Sequence, residues 1–113
     1  KIVSEQEVLG AQWLHQKALS SLAFVYADAV SVSHHLTAYG MIPYEYLRTL
    51  SNFTRLDSGS YVYLRRLNVI DGIVLARNQL LNTTELSSLL NSSNKIYSNG
   101  ESEIYASVPQ DGS

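Results

Sequence analysis

The residues best suited to recognising a small molecule are tyrosines and arginines in the second half of the chain. Tyr61, Tyr63, Tyr97 and Tyr105 fall in stretches rich in aromatic and β-branched residues, where a ring with a polar tip suits a sheet core or a pocket wall. Arg65, Arg66 and Arg77 accompany them, and a guanidinium grips a carboxylate through two parallel hydrogen bonds. Tyr63, Arg65, Arg77, Tyr97 and Tyr105 are therefore the candidate ligand-binding residues, with a small organic acid as the expected ligand and a protein partner as the alternative. Strand alternation puts Tyr63 and Arg65 on one face, whereas the side taken by Tyr97 and Tyr105 depends on hairpin register.

Other chemistry lacks its residues. His34 and His35 are adjacent, so on a helix they point about 100° apart, and neither has His, Asp or Glu four positions on. No metal and no cofactor is expected. His15 interrupts an otherwise apolar seam, as a polar residue that sets helix register or as a protonatable switch between helices. No serine sits in a Gly-x-Ser-x-Gly elbow, and no glycine-rich loop with a lysine is present to cradle phosphate. Asp28, Asp57, Asp71, Glu101 and Glu103 are scattered, as solvated acids are. The chain is not expected to be an enzyme.

With 113 residues the chain makes one domain with a modest core. Zero cysteines exclude a disulfide framework, a thiolate zinc site and a cysteine nucleophile. Eight Lys and Arg against ten Asp and Glu build no basic face, so no nucleic acid is expected as a partner. No apolar run approaches the ~20 residues of a membrane span. The chain opens at Lys1 and closes on Gln110-Asp111-Gly112-Ser113, so it reads as a piece of a longer protein that meets a membrane only through flanking segments. Asn52-Phe53-Thr54, Asn82-Thr83-Thr84 and Asn91-Ser92-Ser93 match the glycan acceptor pattern, which a Ser-rich chain produces by chance.

These side chains need elements to hold them. Ser4-Glu5-Gln6-Glu7 has capping-box spacing, and a seam of Val8, Ala11, His15, Ala18, Leu22, Val25, Ala29, Val32 and Leu36 predicts one long helix to about Tyr39. Such a helix exceeds the domain and is expected to form a parallel homodimer through Ala18, Leu22, Val25 and Ala29. Gly40 fits its C-cap, and Pro43 opens a second helix to about Arg55. Tyr61–Ile70 and Ile73–Ala76 flank Asp71-Gly72 as an antiparallel hairpin; an alternative continues a helix through Leu64, Leu67, Ile70 and Val74. Asn82 to Glu85 caps a short helix carrying Leu86, Leu89 and Leu90, and Asn99-Gly100 turns a last hairpin ending before Pro109.

The predicted architecture is thus α+β, a single domain over 1–113. Residues 1–40 give the long dimerising helix, and 41–113 a short helix plus a small antiparallel sheet that stops before a further strand. This order resembles the extracytoplasmic PAS-like sensor domains of the Cache type, carried by Asn68-Val69-Ile70-Asp71-Gly72-Ile73-Val74-Leu75-Ala76 and by Ile104-Tyr105-Ala106-Ser107-Val108-Pro109-Gln110-Asp111-Gly112. The resemblance implies a periplasmic or extracellular ligand-binding module of a bacterial membrane receptor, signalling through its N-terminal helix. Two other readings are an all-helical assembly domain and a secreted or viral glycoprotein fragment.

Overall fold

Ser4 and Glu7 close the capping box that their spacing predicts. The Ser4 N–H donates to Glu7 Oε1 at 3.0 Å and the Glu7 N–H to Ser4 Oγ at 3.2 Å, and helix α1 spans Glu5–Ser21. The computed structural model describes residues 3–21, 23–51, 54–76 and 79–107. It is an α+β fold with a five-stranded mixed sheet and a separate two-stranded one, so the all-helical alternative does not hold.

The helix to Tyr39 is the first correction. After Ser21 the chain extends into β1, Val25–Ala27, which lies between β2, Leu47–Thr49, and β3, Tyr61–Leu64, parallel to both. Val25 and Tyr26 are good strand formers, and a central strand gives their backbone partners on both sides. Three residues are too few to disturb the phase of the surrounding apolar positions, so helical spacing survives across a strand. Asp28 then restarts the helical chain, its Oδ1 accepting the Ser31 N–H at 2.9 Å in N-cap fashion. The next element is a π-helix, Ser31–Tyr39, in which the Gly40 N–H donates to His35 O at 3.0 Å across five residues. A Cβ on Gly40 would meet Ala11 O at 3.1 Å, so glycine lets this helix end approach α1.

The helix expected from Pro43 to Arg55 is also replaced. Tyr44–Tyr46 forms one 3-10 turn and the chain enters β2, where Leu47 is buried and the Leu50 N–H donates to Ala27 O at 2.7 Å. Asp71-Gly72 does not turn a hairpin. β3 stops at Leu64, helix α2 spans Arg66–Val69, and β4, Ile73–Leu75, pairs with β5, Leu80–Asn82, instead of β3. Asn68 causes this break: its Oδ1 accepts the Arg65 N–H at 2.9 Å and its Nδ2 donates to Ile73 O at 2.7 Å, folding the segment on itself.

The last elements form as expected. The Asn82 N–H donates to Glu85 Oε2 at 2.9 Å, Leu86 is buried, and α3 runs Ser87–Asn91. β6, Ser93–Ser98, and β7, Glu103–Ser107, form the antiparallel hairpin at Asn99-Gly100, with φ +94° at Gly100. The large sheet has the order β2-β1-β3-β7-β6; parallel pairing of β1 with both neighbours makes it mixed where an antiparallel sheet was expected. One face packs Tyr63 and Ile104 on Leu14, Ala18 and Leu36 of the helices. The other packs Val62 and Leu64 on Val74, Leu81 and Leu86, as strand alternation requires.

Candidate functional site

Arg65, the first residue past β3, is 3 % exposed and carries a full charge. Its Nε donates to both oxygens of Asp28, at 3.1 and 2.9 Å. The same carboxylate accepts Asn68 Nδ2 at 3.2 Å and the Ser31 N–H. Burial opposes the charge of Asp28, but the hydrogen bonds from Arg65 and Ser31 outweigh it and hold the carboxyl below its ordinary value. One ion pair thereby ties the end of β1, the start of the π-helix and the β3–α2 junction together.

Glu7 makes a second knot beside it. The Glu7 Oε2 accepts the Arg66 N–H at 2.9 Å and lies 3.6 Å from His35 Nε2. The buried Tyr63 hydroxyl donates to Glu7 O at 2.9 Å. Burial pushes that phenol far above its usual range. Burial also lowers the His35 imidazole, against the pull of Glu7, so the ring favours its neutral form.

Between these knots opens a cleft of about 300 Å³. Glu7, His35 and Arg65 line it with polar groups, Val3, Val30 and Leu67 supply apolar wall, and His34, Arg66 and Asp71 complete it. Two of the lining residues each keep a nitrogen that is buried from solvent and has no hydrogen-bond partner in the protein, Arg65 Nη2 and His35 Nδ1. Leaving a buried polar group unpaired costs about 1–3 kcal/mol, a cost that the packing around the cleft bears. The π-helix that presents His35 is itself a rare conformation associated with functional sites.

Of the four described residues among the five expected to bind ligand, Arg65 alone lines this cleft. Tyr63 is fully buried with its hydroxyl on Glu7 O. Tyr97 stacks on Trp13 with centroids 4.7 Å apart and accepts Asn99 Nδ2 at 3.2 Å. Tyr105 belongs to the opposite sheet face; burial and its hydrogen bond to Glu103 Oε1 at 3.0 Å push its phenol up to about 12. Arg77 lies outside the described residues, as do Asn52 and Phe53.

The expected dimer seam is not a surface. Ala18 and Val25 are in this chain's own core, Ala29 is half-buried, and Leu22 lies outside the described residues. Strand β1 interrupts the helix on which those four side chains were to align. Sequence reasoning missed Glu7, Asp28, His35 and Asn68 as site residues. The one signal was Asp28 three positions before Ser31, an N-cap spacing inside an expected helix. Among the described residues no group of three or more His, Asp and Glu is placed to hold a metal ion.

Fold and cleft together define an α+β domain organised round a buried Arg–Asp pair, and its family is one of membrane proteins. The chain belongs to the family described as predicted membrane protein (DUF2206), whose model matches residues 2–105. That match corrects the Cache-type resemblance, since the family is not a Cache or PAS sensor family. The segments behind the resemblance are short strand-and-turn patterns, and 68–76 forms the end of α2 and β4, not an opening hairpin. No curated protein and no solved structure matches the chain. No helix among the described residues is long and apolar enough to cross a membrane.

Proposed function

We propose that this chain is a non-catalytic, ligand-binding module that its membrane protein carries on the extracytoplasmic side. The observation that supports it is the cleft of about 300 Å³ in which Glu7, His35 and Arg65 supply polar lining and Val3, Val30 and Leu67 apolar wall. Of the two carboxylates that line the cleft, Glu7 and Asp71, Glu7 is already engaged by the Ser4 and Arg66 N–H groups, which favours binding over acid–base chemistry at that residue. Val3 and Glu7 line the cleft at the start of α1, so a ligand held there biases the position of that helix. Coupling needs only that the ligand bind two arrangements of α1 unequally.

A thermal-shift panel of small charged and uncharged polar compounds tests the binding. A true ligand at 100 times its Kd adds about 2.7 kcal/mol to stability and raises the melting midpoint by several degrees; a silent panel overturns the reading. The cysteine-free sequence allows the placement to be tested separately. Met41 is 71 % exposed, so Met41→Cys in the full-length protein should react with a membrane-impermeant maleimide in intact cells. Labelling that appears only after lysis places the module inside.

A further inference from the structure

Asn82-Thr83-Thr84, a chance pattern by composition alone, lies where strand β5 ends and the 3-10 turn Thr83–Leu86 begins. Its middle residue is pinned to the fold: the Thr83 N–H donates to Gly72 O at 2.7 Å and Thr83 Oγ1 to Asn68 O at 2.8 Å. Asn82 and Thr84, the two residues whose side chains glycan attachment requires, are both exposed. The bond that starts the turn uses the Asn82 N–H, which donates to Glu85 Oε2 at 2.9 Å, so a group added to the Asn82 side-chain nitrogen leaves that backbone bond intact.

Strand β5 also lacks protection. Among the described residues it pairs with β4 alone, so its far side is an edge. An edge strand is a template for pairing with another chain unless charge, proline or a cover blocks it. Leu80-Leu81-Asn82 carries neither charge nor proline. Leu80, 68 % exposed, shares the outward side of the strand with Asn82, while Leu81 is buried. A bulky, water-soluble oligosaccharide on Asn82 supplies the missing cover for the edge and for Leu80.

We infer that Asn82 is an N-glycosylation site, modified on the extracytoplasmic side by transfer from a lipid-linked oligosaccharide. The Asn82 Nδ2 forms a bond to C1 of the first sugar, the bond from C1 to the lipid phosphate oxygen breaks, the lipid phosphate leaves with the electron pair, and the amide gives up one proton. The inference rests on the extracytoplasmic placement proposed above and adds a covalent modification to it. Asn91, at the end of α3, is exposed as well, but the hydroxyl of its pattern, on Ser93, donates to Leu89 O at 2.9 Å, and Asn82 alone of the two stands on the bare edge.

Full-length protein purified from the membranes of its native organism makes the test. Trypsin, cutting after Arg77 and Lys95, releases residues 78–95 with both asparagines, and electron-transfer fragmentation assigns any sugar mass to one of them. The peptide should be heavier by whole sugar residues on Asn82. Thr84→Ala, which removes the acceptor pattern and keeps Asn82, should leave that asparagine bare; should the variant not fold, the assignment on the natural chain decides. A bare Asn82 in the natural chain, with or without sugar on Asn91, overturns the inference, as does sugar that persists on Asn82 in Thr84→Ala. Where Asn82 is bare and Met41→Cys is labelled in intact cells, the placement stands and the inference falls alone; labelling only after lysis takes both.

Discussion

Arg65 stands out by residue type in the sequence, but its partner does not. Asp28 lies 37 residues away in a stretch whose apolar spacing fits a helix, and only tertiary pairing of β1 with β3 brings the two charges together. The pair is a liability as well as a tie. Removing one partner of a buried ion pair leaves the other charged and without compensation, at about 3–5 kcal/mol, so Arg65→Leu should lose that much in urea unfolding. Asp28→Leu added to Arg65→Leu should recover part of it; a double variant as unstable as the sum of the two single ones would show that the charges do not act as a pair. Acid should weaken the fold through two groups with one sign. The His35 imidazole is held below its ordinary 6.5, so the unfolded chain takes the proton first and stability declines as pH falls below that value. The Asp28 carboxyl is held below 3.8, so its contribution is present above that value and lost as pH falls through the folded one. Urea midpoints from pH 8 to 4 should therefore fall, and His35→Gln should flatten the upper part of the decline. A His35→Gln profile parallel to that of the natural chain would remove His35 from this account.

Where local chemistry fixes an element, the sequence was readable, and where long-range pairing fixes it, the sequence misled. Ser4 and Glu7, Asn82 and Glu85, and Asn99-Gly100 each act within four residues, and each forms as its spacing predicts. β1 and β2 are three residues long and parallel; neither length nor alternation distinguishes so short a strand from one turn of helix. The π-helix was invisible for the same reason, since apolar positions at three- and four-residue steps do not reveal five-residue hydrogen bonding. Gly10 shows how packing reverses a local rule. In the interior of an exposed helix, glycine to alanine gains about 1 kcal/mol. Here a Cβ on Gly10 would collide with Ser102 Oγ, which lies between Gln6 O and Asn99 Oδ1. Gly10→Ala should therefore lower stability by about 1–3 kcal/mol, and Ser102→Gly in that background should restore part of the loss. A more stable Gly10→Ala would mean that α1 does not lie this close to the turn between β6 and β7.

The cleft belongs to the molecule as a whole, because it exists only where the start of α1, the π-helix and the β3–α2 junction converge. None of these three is a sheet interior. The centre of the sheet beneath them is covered on both faces, by the helices on one side and by β4, β5 and α3 on the other, and so offers a rigid base against which the three ends move. Glu7 links the two ends that matter for signalling, since its backbone belongs to α1 and its Oε2 holds the Arg66 N–H that begins α2. A ligand held in the cleft should tighten that link before it affects any distant element. Hydrogen exchange of the intact chain with a saturating ligand should therefore slow at residues 5–9, 31–36 and 65–69, while amides of β4, β5 and β6 exchange at unchanged rates, provided that exchange proceeds by local opening. Glu7→Ala should leave slowing at 65–69 and abolish it at 5–9. Uniform slowing over all elements would show global stabilisation instead, and α1 would then have no part in carrying the signal.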